Sequence, residues 1–274
     1  VKILKYLLPY VTITSFNYYF SKDAITFSSP IFFNLIRYVI SSIIFLSISR
    51  GKIIFNRDVI QLAVYTTVSS LLWAYGLLYV SPAESAVLSY TMPLFSIPIS
   101  FIILLERPAV LEIVGVVIGF SGVILYGLPL VHGLTLFGSI ITIVNALFWG
   151  LFTVFYRKLK GYDPITVNAS QFSIGSIILA LLLPIHHNID PNPEFYIGIA
   201  YTSTLGGAIS FFLWNMMVKA EKIPKVTVLS FSVPILTTLV EFLLYHVLPF
   251  PIQLFGIFLM FLGILISRSR TLLS

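Results

Sequence analysis

The sequence predicts an all-α integral membrane protein: ten transmembrane helices, built as two inverted five-helix repeats, with both ends of the chain in the cytoplasm. Three observations predict it. Apolar stretches long enough to cross a bilayer recur ten times along the chain. Basic residues fall on one side when those stretches are threaded alternately through a membrane. Trp, Pro and Gly positions of the first half recur in the second.

Composition sets the frame. Of 274 residues, 58% are hydrophobic and only 9% charged, and the mean hydropathy is +1.01. Soluble domains carry about 25% charged residues, so a chain this poor in charge needs lipid as the solvent for most of its surface. The absence of Cys excludes a disulfide framework and any thiolate metal site. The net charge of +6 would suit nucleic acid only if it were clustered, and it is scattered among the loops. No nucleic-acid partner is expected; the lipid bilayer is.

Each span needs about 20 apolar residues. The stretches run at approximately 4–21, 30–49, 58–80, 84–104, 110–128, 135–156, 164–184, 195–218, 226–247 and 252–267. Pro and short polar clusters separate them: Ser28-Ser29-Pro30, Ser81-Pro82, Arg107-Pro108, Asp163-Pro164, and His186 to Pro193. The first stretch runs into a repeated hydrophobic architecture without a small-residue cleavage site, so it is expected to be a span rather than a signal peptide. With the amino end inside, the cytoplasmic segments hold Lys2, Lys5, Arg50, Lys52, Arg57, Arg107, Arg157, Lys158, Lys160, Lys219, Lys222, Lys225, Arg268 and Arg270, which are 14 of the 16 basic residues. The outer loops 129–134, 185–194 and 248–251 hold none. Only Lys22, at an outer helix end, and Arg37, inside a span, fall elsewhere. A count wrong by one span would scramble this asymmetry. The expected location is the cell membrane, crossed many times.

The halves, 1–128 and 135–270, resemble each other. A shift of 141 residues lays Trp73 on Trp214, Val87-Leu88-Ser89 on Val228-Leu229-Ser230, Pro93 on Pro234, Gly115 on Gly256 and Gly122 on Gly263. A shift of 134 lays Pro30-Ile31 on Pro164-Ile165, Asn34 on Asn168, and Ser42-Ile43-Ile44 on Ser176-Ile177-Ile178. Five spans per half is an odd number, so the second half starts on the opposite face. Inverted repeats of this kind are the signature of alternating-access carriers, with the substrate site near the midplane between the halves.

The same residues carry a family resemblance. Val80-Ser81-Pro82-Ala83-Glu84-Ser85-Ala86-Val87, then Met92-Pro93, Leu105-Glu106-Arg107, Gly115 and Gly122, resembles the EamA domain of the drug/metabolite transporter superfamily. Pro234, Gly256 and Gly263 repeat it, with Val247 where Glu106 stands in the first half. The resemblance covers essentially the whole chain as two tandem domains. It implies a transporter, not an enzyme, that exports or exchanges amino acids, other metabolites or drugs through a central cavity. A nucleotide-sugar carrier, a lipid-linked substrate carrier and a non-transporting membrane protein stand as alternatives.

Candidate site residues are the polar and aromatic groups inside the spans. Arg37 sits seven residues into span 2, roughly 10 Å below the edge at 1.5 Å per residue. Glu241 lies at a similar depth in span 9. Charges at such depth face a cavity or a partner: Arg37 suits a substrate carboxylate, Glu241 a substrate amine or a coupling proton, or the two pair with each other. Asn34, Arg37 and Ser41 share one helical face, as do Asn168, Gln171 and Gly175; either stripe suits a cavity wall or interhelical hydrogen bonding. Asn17, Tyr18, Trp73, Asn145, Trp149, Trp214 and Asn215 complete the cavity candidates, since aromatic walls with few polar groups suit an amphipathic organic solute. Pro93, Pro98 and Pro234 interrupt spans 4 and 9, and the matched Pro93 and Pro234 are candidate hinges. Gly115, Gly119 and Gly122 with Gly256 and Gly263 read as close helix packing, and spans 5 and 10 are a candidate homodimer face. Glu106-Arg107 reads as a structural element, and His132, His186, His187 and His246 as outer-surface residues. No metal site, no cofactor and no phosphate-binding loop is expected, which argues against direct ATP drive and leaves a gradient, proton-coupled through Glu241, or facilitated exchange.

Overall fold

The computed structural model describes residues 3–130, 135–246 and 248–272, so His132 and Val247 lie outside the described residues. Thirteen α-helices follow one another, with no strand among the described residues beyond an isolated antiparallel bridge between Ser28 and Ile189. They are α1 (Leu4–Thr26), α2 (Pro30–Ser49), α3 (Arg57–Tyr79), α4 (Pro82–Ser89), α5 (Met92–Leu104), α6 (Val110–Gly127), α7 (Leu136–Lys158), α8 (Pro164–Leu182), α9 (Pro193–Ser203), α10 (Ser210–Ala220), α11 (Ile223–Thr227), α12 (Ser232–Tyr245) and α13 (Pro251–Leu272). Several pairs join into longer rods. Among the described residues, nine helices or joined helices are long and apolar enough to cross a membrane. The helix α1 is as long as these but is not one of them. It carries Lys5, Lys22 and Asp23, and its apolar residues are diluted by Tyr, Thr, Ser and Asn17.

The polar punctuation of the sequence starts the helices. In Ser29-Pro30, Ser81-Pro82, Asp163-Pro164 and Asn192-Pro193 the first side chain accepts a backbone N–H of the first turn. Proline then sits where its missing N–H costs nothing. Ser81 and Glu84 complete a reciprocal capping box at α4.

Three of the long rods are broken. Between α4 and α5 the helix ends at Tyr90 and restarts at Met92. Between α11 and α12 it tightens to a 3-10 turn over Val228–Phe231. Pro93 and Pro234 lie in the first turns after these breaks, where proline removes no helical hydrogen bond. Between α9 and α10 the helix widens to a π-turn over Thr204–Ile209.

The outer surface of the bundle is apolar, unlike that of a soluble protein. Leu136, Leu181 and Ile102 are 79%, 76% and 74% exposed, whereas Asn34, Asn145, Asn168, Gln171 and Asn215 are buried. Apolar side chains outward and hydrogen-bonded polar ones inward is the arrangement that hydrocarbon as solvent demands. The chain is a multi-pass membrane protein.

The most extensive helix contact joins α6 to α13. A methyl group on Gly122 would lie 2.5 Å from the carbonyl oxygen of Gly256, and one on Gly115 2.5 Å from that of Gly263. On Gly119 it would meet the ring of Phe231 at 2.5 Å. Elsewhere α3 lies along α7, α1 along α9 and α10, α5 against α7, α12 against α1, and α2 against α8.

Candidate functional site

A cavity with about 600 Å³ of empty space inside it and at its mouth opens among the helices. Both halves of the chain supply its wall. Tyr10, Thr14, Asn17 and Tyr18 come from α1, Arg37 from α2, and Ser69, Ser70 and Trp73 from α3. Ser89 and Tyr90 sit at the α4 break, Asn145 and Trp149 on α7, and Gly206, Ser210 and Phe211 at the π-turn and the start of α10.

Broken helices shape this site. The π-turn shifts the backbone pairing of its segment, and two carbonyls just before it face α2. The Thr202 oxygen accepts from Arg37 Nε at 3.2 Å, and the Ser203 oxygen from Ser41 Oγ at 2.9 Å. π-turns are enriched at functional sites for this kind of reason. Gly206 and Gly207 let the turn come close. A Cβ on Gly206 would collide with the Asn17 side chain, and one on Gly207 would lie 2.7 Å from Ser41 Oγ.

Arg37 is 3% exposed. Its Nη1 donates to Asn34 Oδ1 at 3.0 Å, and its guanidinium carbon lies 5.1 Å from the Phe33 ring centre and 5.3 Å from that of Trp73. Ring faces attract a desolvated cation. Trp73 stands edge-on to Tyr18 at 5.6 Å, and Trp149 edge-on to Phe211 at 5.2 Å. Polar cross-links hold the wall. Ser69 Oγ donates to Asn145 Oδ1 at 2.7 Å, Asn145 Nδ2 donates to Ser89 Oγ at 3.3 Å, and Thr14 and Ser210 share a hydrogen bond of 2.9 Å. Asn17 Oδ1 is buried with no hydrogen-bond partner among the described residues.

Six of the sequence-derived candidates therefore meet at one cavity: Asn17, Tyr18, Arg37, Trp73, Asn145 and Trp149. Four lie away from its lining. Trp214 is fully buried one layer behind, 5.2 Å from Tyr10 and 6.4 Å from Trp149, and donates to Thr153 Oγ1 at 3.2 Å. Gln171 and Asn215 belong to a separate buried cluster. Both donate to Asn168 Oδ1, at 2.6 and 2.8 Å, and Gln171 Oε1 accepts from Thr66 at 3.1 Å. Glu241 is partly exposed on α12 and forms no ion pair with Arg37. Sequence reasoning missed Tyr10, Thr14, Ser69, Ser70, Gly206, Ser210 and Phe211. The Gly206-Gly207 pair in the middle of an apolar stretch was the available signal. Among the described residues no three His, Asp or Glu side chains gather as metal ligands. His186 and His187 are exposed in a loop, and His246 ends α12.

At the far ends of α5 and α7 the described residues hold a second polar assembly. Glu106 Oε1 accepts from Arg157 Nε at 2.9 Å, and Glu106 Oε2 from the Ile223 backbone at 2.8 Å. Arg157 Nη1 also donates to the Val218 and Lys219 carbonyls, at 3.2 and 2.7 Å. Four helices meet there.

Comparison with known proteins agrees on one class. The model of the EamA-like transporter family matches residues 2–128 and again 136–269. An uncharacterized transporter in the sor 3' region of Acidianus ambivalens is 50% identical over 238 residues, covering 86% of this chain and 93% of that protein. The uncharacterized transporter YoaV of Bacillus subtilis (strain 168) is 25% identical over 264 residues, covering 90% and 89%. A solved structure titled "Crystal structure of protein" superposes with a TM-score of 0.80 at 16% identity, covering 100% of this chain and 99% of that one, a likeness of fold.

Proposed function

The chain belongs to the EamA-like transporter family, and from that premise we propose that it is a secondary carrier. It moves small amphipathic organic metabolites or drugs by alternating access, outward across the cell membrane, on a gradient. The family and the names of its relatives make it a membrane transporter; the mechanism, solute and direction are our reading. The observation that carries it is the aromatic cavity walled by both halves of the chain. A solute held between two halves is exposed to one face or the other as the halves rock.

In this reading the chain crosses the membrane ten times, α1 included, as repeats 1–128 and 135–270 of opposite topology with both ends in the cytoplasm. Support comes from the double match of the family model. It comes also from the helix contacts, because exchanging the halves turns α3–α7 into the contact of α10 with α1, and α5–α7 into α12–α1. The breaks before Pro93 and Pro234 recur at matched places and serve as hinges.

Asn17, Tyr18, Arg37, Trp73, Asn145 and Trp149 contact the solute. Trp214 backs the wall, Asn215 holds α10 to α8 through Asn168, and Gln171 holds α8 to α3 through Thr66. Glu241, off the cavity, carries a coupling proton rather than touching the solute. A homodimer would use the lipid-facing sides of α6 and α13, since their glycine faces meet each other. The test is flux in proteoliposomes. Trp149→Ala is expected to cut transport about tenfold or more while leaving the folded yield unchanged, since one aromatic wall contributes roughly 1–2 kcal/mol. Unchanged flux would remove the cavity from the pathway.

A further inference from the structure

We propose that the cavity selects solutes bearing a single carboxylate on an apolar or aromatic body, with Arg37 as the anion site, and that it rejects organic cations and dianions. The proposal rests on the reading of the cavity as the transport site. Among the described residues no carboxylate lies within 4.0 Å of Arg37. Among the described residues its two hydrogen bonds go to neutral oxygens, those of Thr202 and Asn34, and its Nη2 donates to none. The positive charge is therefore held by dipoles and ring faces, without a counter-ion. Removing such a charge from water is expensive, and only an anion of matching geometry restores the loss. A carboxylate pairs with a guanidinium through short, charge-assisted hydrogen bonds.

The rest of the lining sharpens the selection. Arg37 is the only charged residue among those that line the cavity. A cation entering would meet a like charge with no carboxylate to balance it, in surroundings where charges are weakly screened. A dianion would satisfy one charge on Arg37 and leave the other unpaired in the same medium. That argues against nucleotide sugars and phosphate esters. Asn34 and Thr202 hold the guanidinium before any solute arrives, so little ordering remains to be done on binding. Trp73, Trp149 and Phe211 offer the apolar body aromatic faces and edges.

The test is a charge series on one scaffold, measured with the purified full chain at neutral pH by titration calorimetry and by counterflow in proteoliposomes. Phenylacetate is the monoanion, phenylacetamide its neutral counterpart, phenethylamine the cation and phenylmalonate the dianion. Phenylacetate is expected to bind about tenfold or more tightly than phenylacetamide, the difference of a charged hydrogen-bonded pair; the other two should not bind. Arg37→Gln should bring phenylacetate down to the level of the amide, and Arg37→Lys should keep part of the preference. Should the Gln variant fail to fold, the wild-type series and the Lys variant decide the matter. Equal or tighter binding of the amide or amine, or undiminished phenylacetate binding by Arg37→Gln, overturns the charge selectivity and leaves the transport reading standing. If no member binds or moves, the carboxylate selectivity falls, and flux of the Trp149→Ala variant decides the transport reading separately.

Discussion

Arg37 and Glu241 show how differently two charges at similar depth in the sequence can be placed. Arg37 is buried at the cavity wall, held by Thr202 and Asn34. Glu241 sits on α12 outside the lining. A role for Glu241 in coupling thus predicts a split phenotype. Glu241→Gln should lose solute accumulation driven by a proton gradient while retaining solute–solute exchange in the same vesicles. Loss of both, in a folded protein, would place Glu241 in the solute path instead. Asn168 illustrates what sequence could not separate. Its stripe with Gln171 matches that of Asn34 with Arg37, yet Gln171 and Asn215 both donate to Asn168 and lie outside the lining of the cavity. Which polar residues satisfy each other depends on partners from distant helices, and spacing along one helix carries no record of them.

At the scale of helices, the close glycine contacts were legible because their physics is local. Gly122 permits contact with the Gly256 carbonyl, and the obstacle to a larger residue there is backbone, which cannot swing aside. Gly122→Ala should destabilise the protein by about 1–3 kcal/mol. Gly161→Ala, with nothing within 4 Å of the added methyl, should leave the melting temperature unchanged. Equal effects would contradict the close packing of α6 on α13. The π-turn at Thr204–Ile209 was not legible, because its apolar residues read like any other span and only Gly206-Gly207 hinted at it. Glu106 was read as structural from its position at the end of span 4; its partners, Arg157 and the Ile223 backbone, are 51 and 117 residues away. Removing the acid leaves a mostly buried arginine without its counter-ion. Glu106→Ala should therefore loosen this end of the bundle. A cysteine replacing the buried Ser100 on α5 should then react faster with a membrane-impermeant thiol reagent than the same cysteine beside an intact Glu106. An unchanged rate would show that the ion pair does not hold that end closed.

For the whole molecule, hydropathy and charge carry the class of fold because lipid rewards the same simple pattern in every span. The limits of that signal appear at α1. Its tyrosines and Asn17 face the cavity and other helices, and the polarity that makes it part of the site also weakens its apolar signature. The cavity lining draws on the helix whose hydropathy pattern is poorest. The central claim is that one cavity between two halves opens to each face in turn. The sequence contains no cysteine, so a single one replacing Ser89 on the cavity wall reports access without further engineering. In sealed vesicles of defined orientation, the account predicts that a membrane-impermeant thiol reagent labels this cysteine from either face. Labelling from one face alone, under every condition tried, would contradict alternating access.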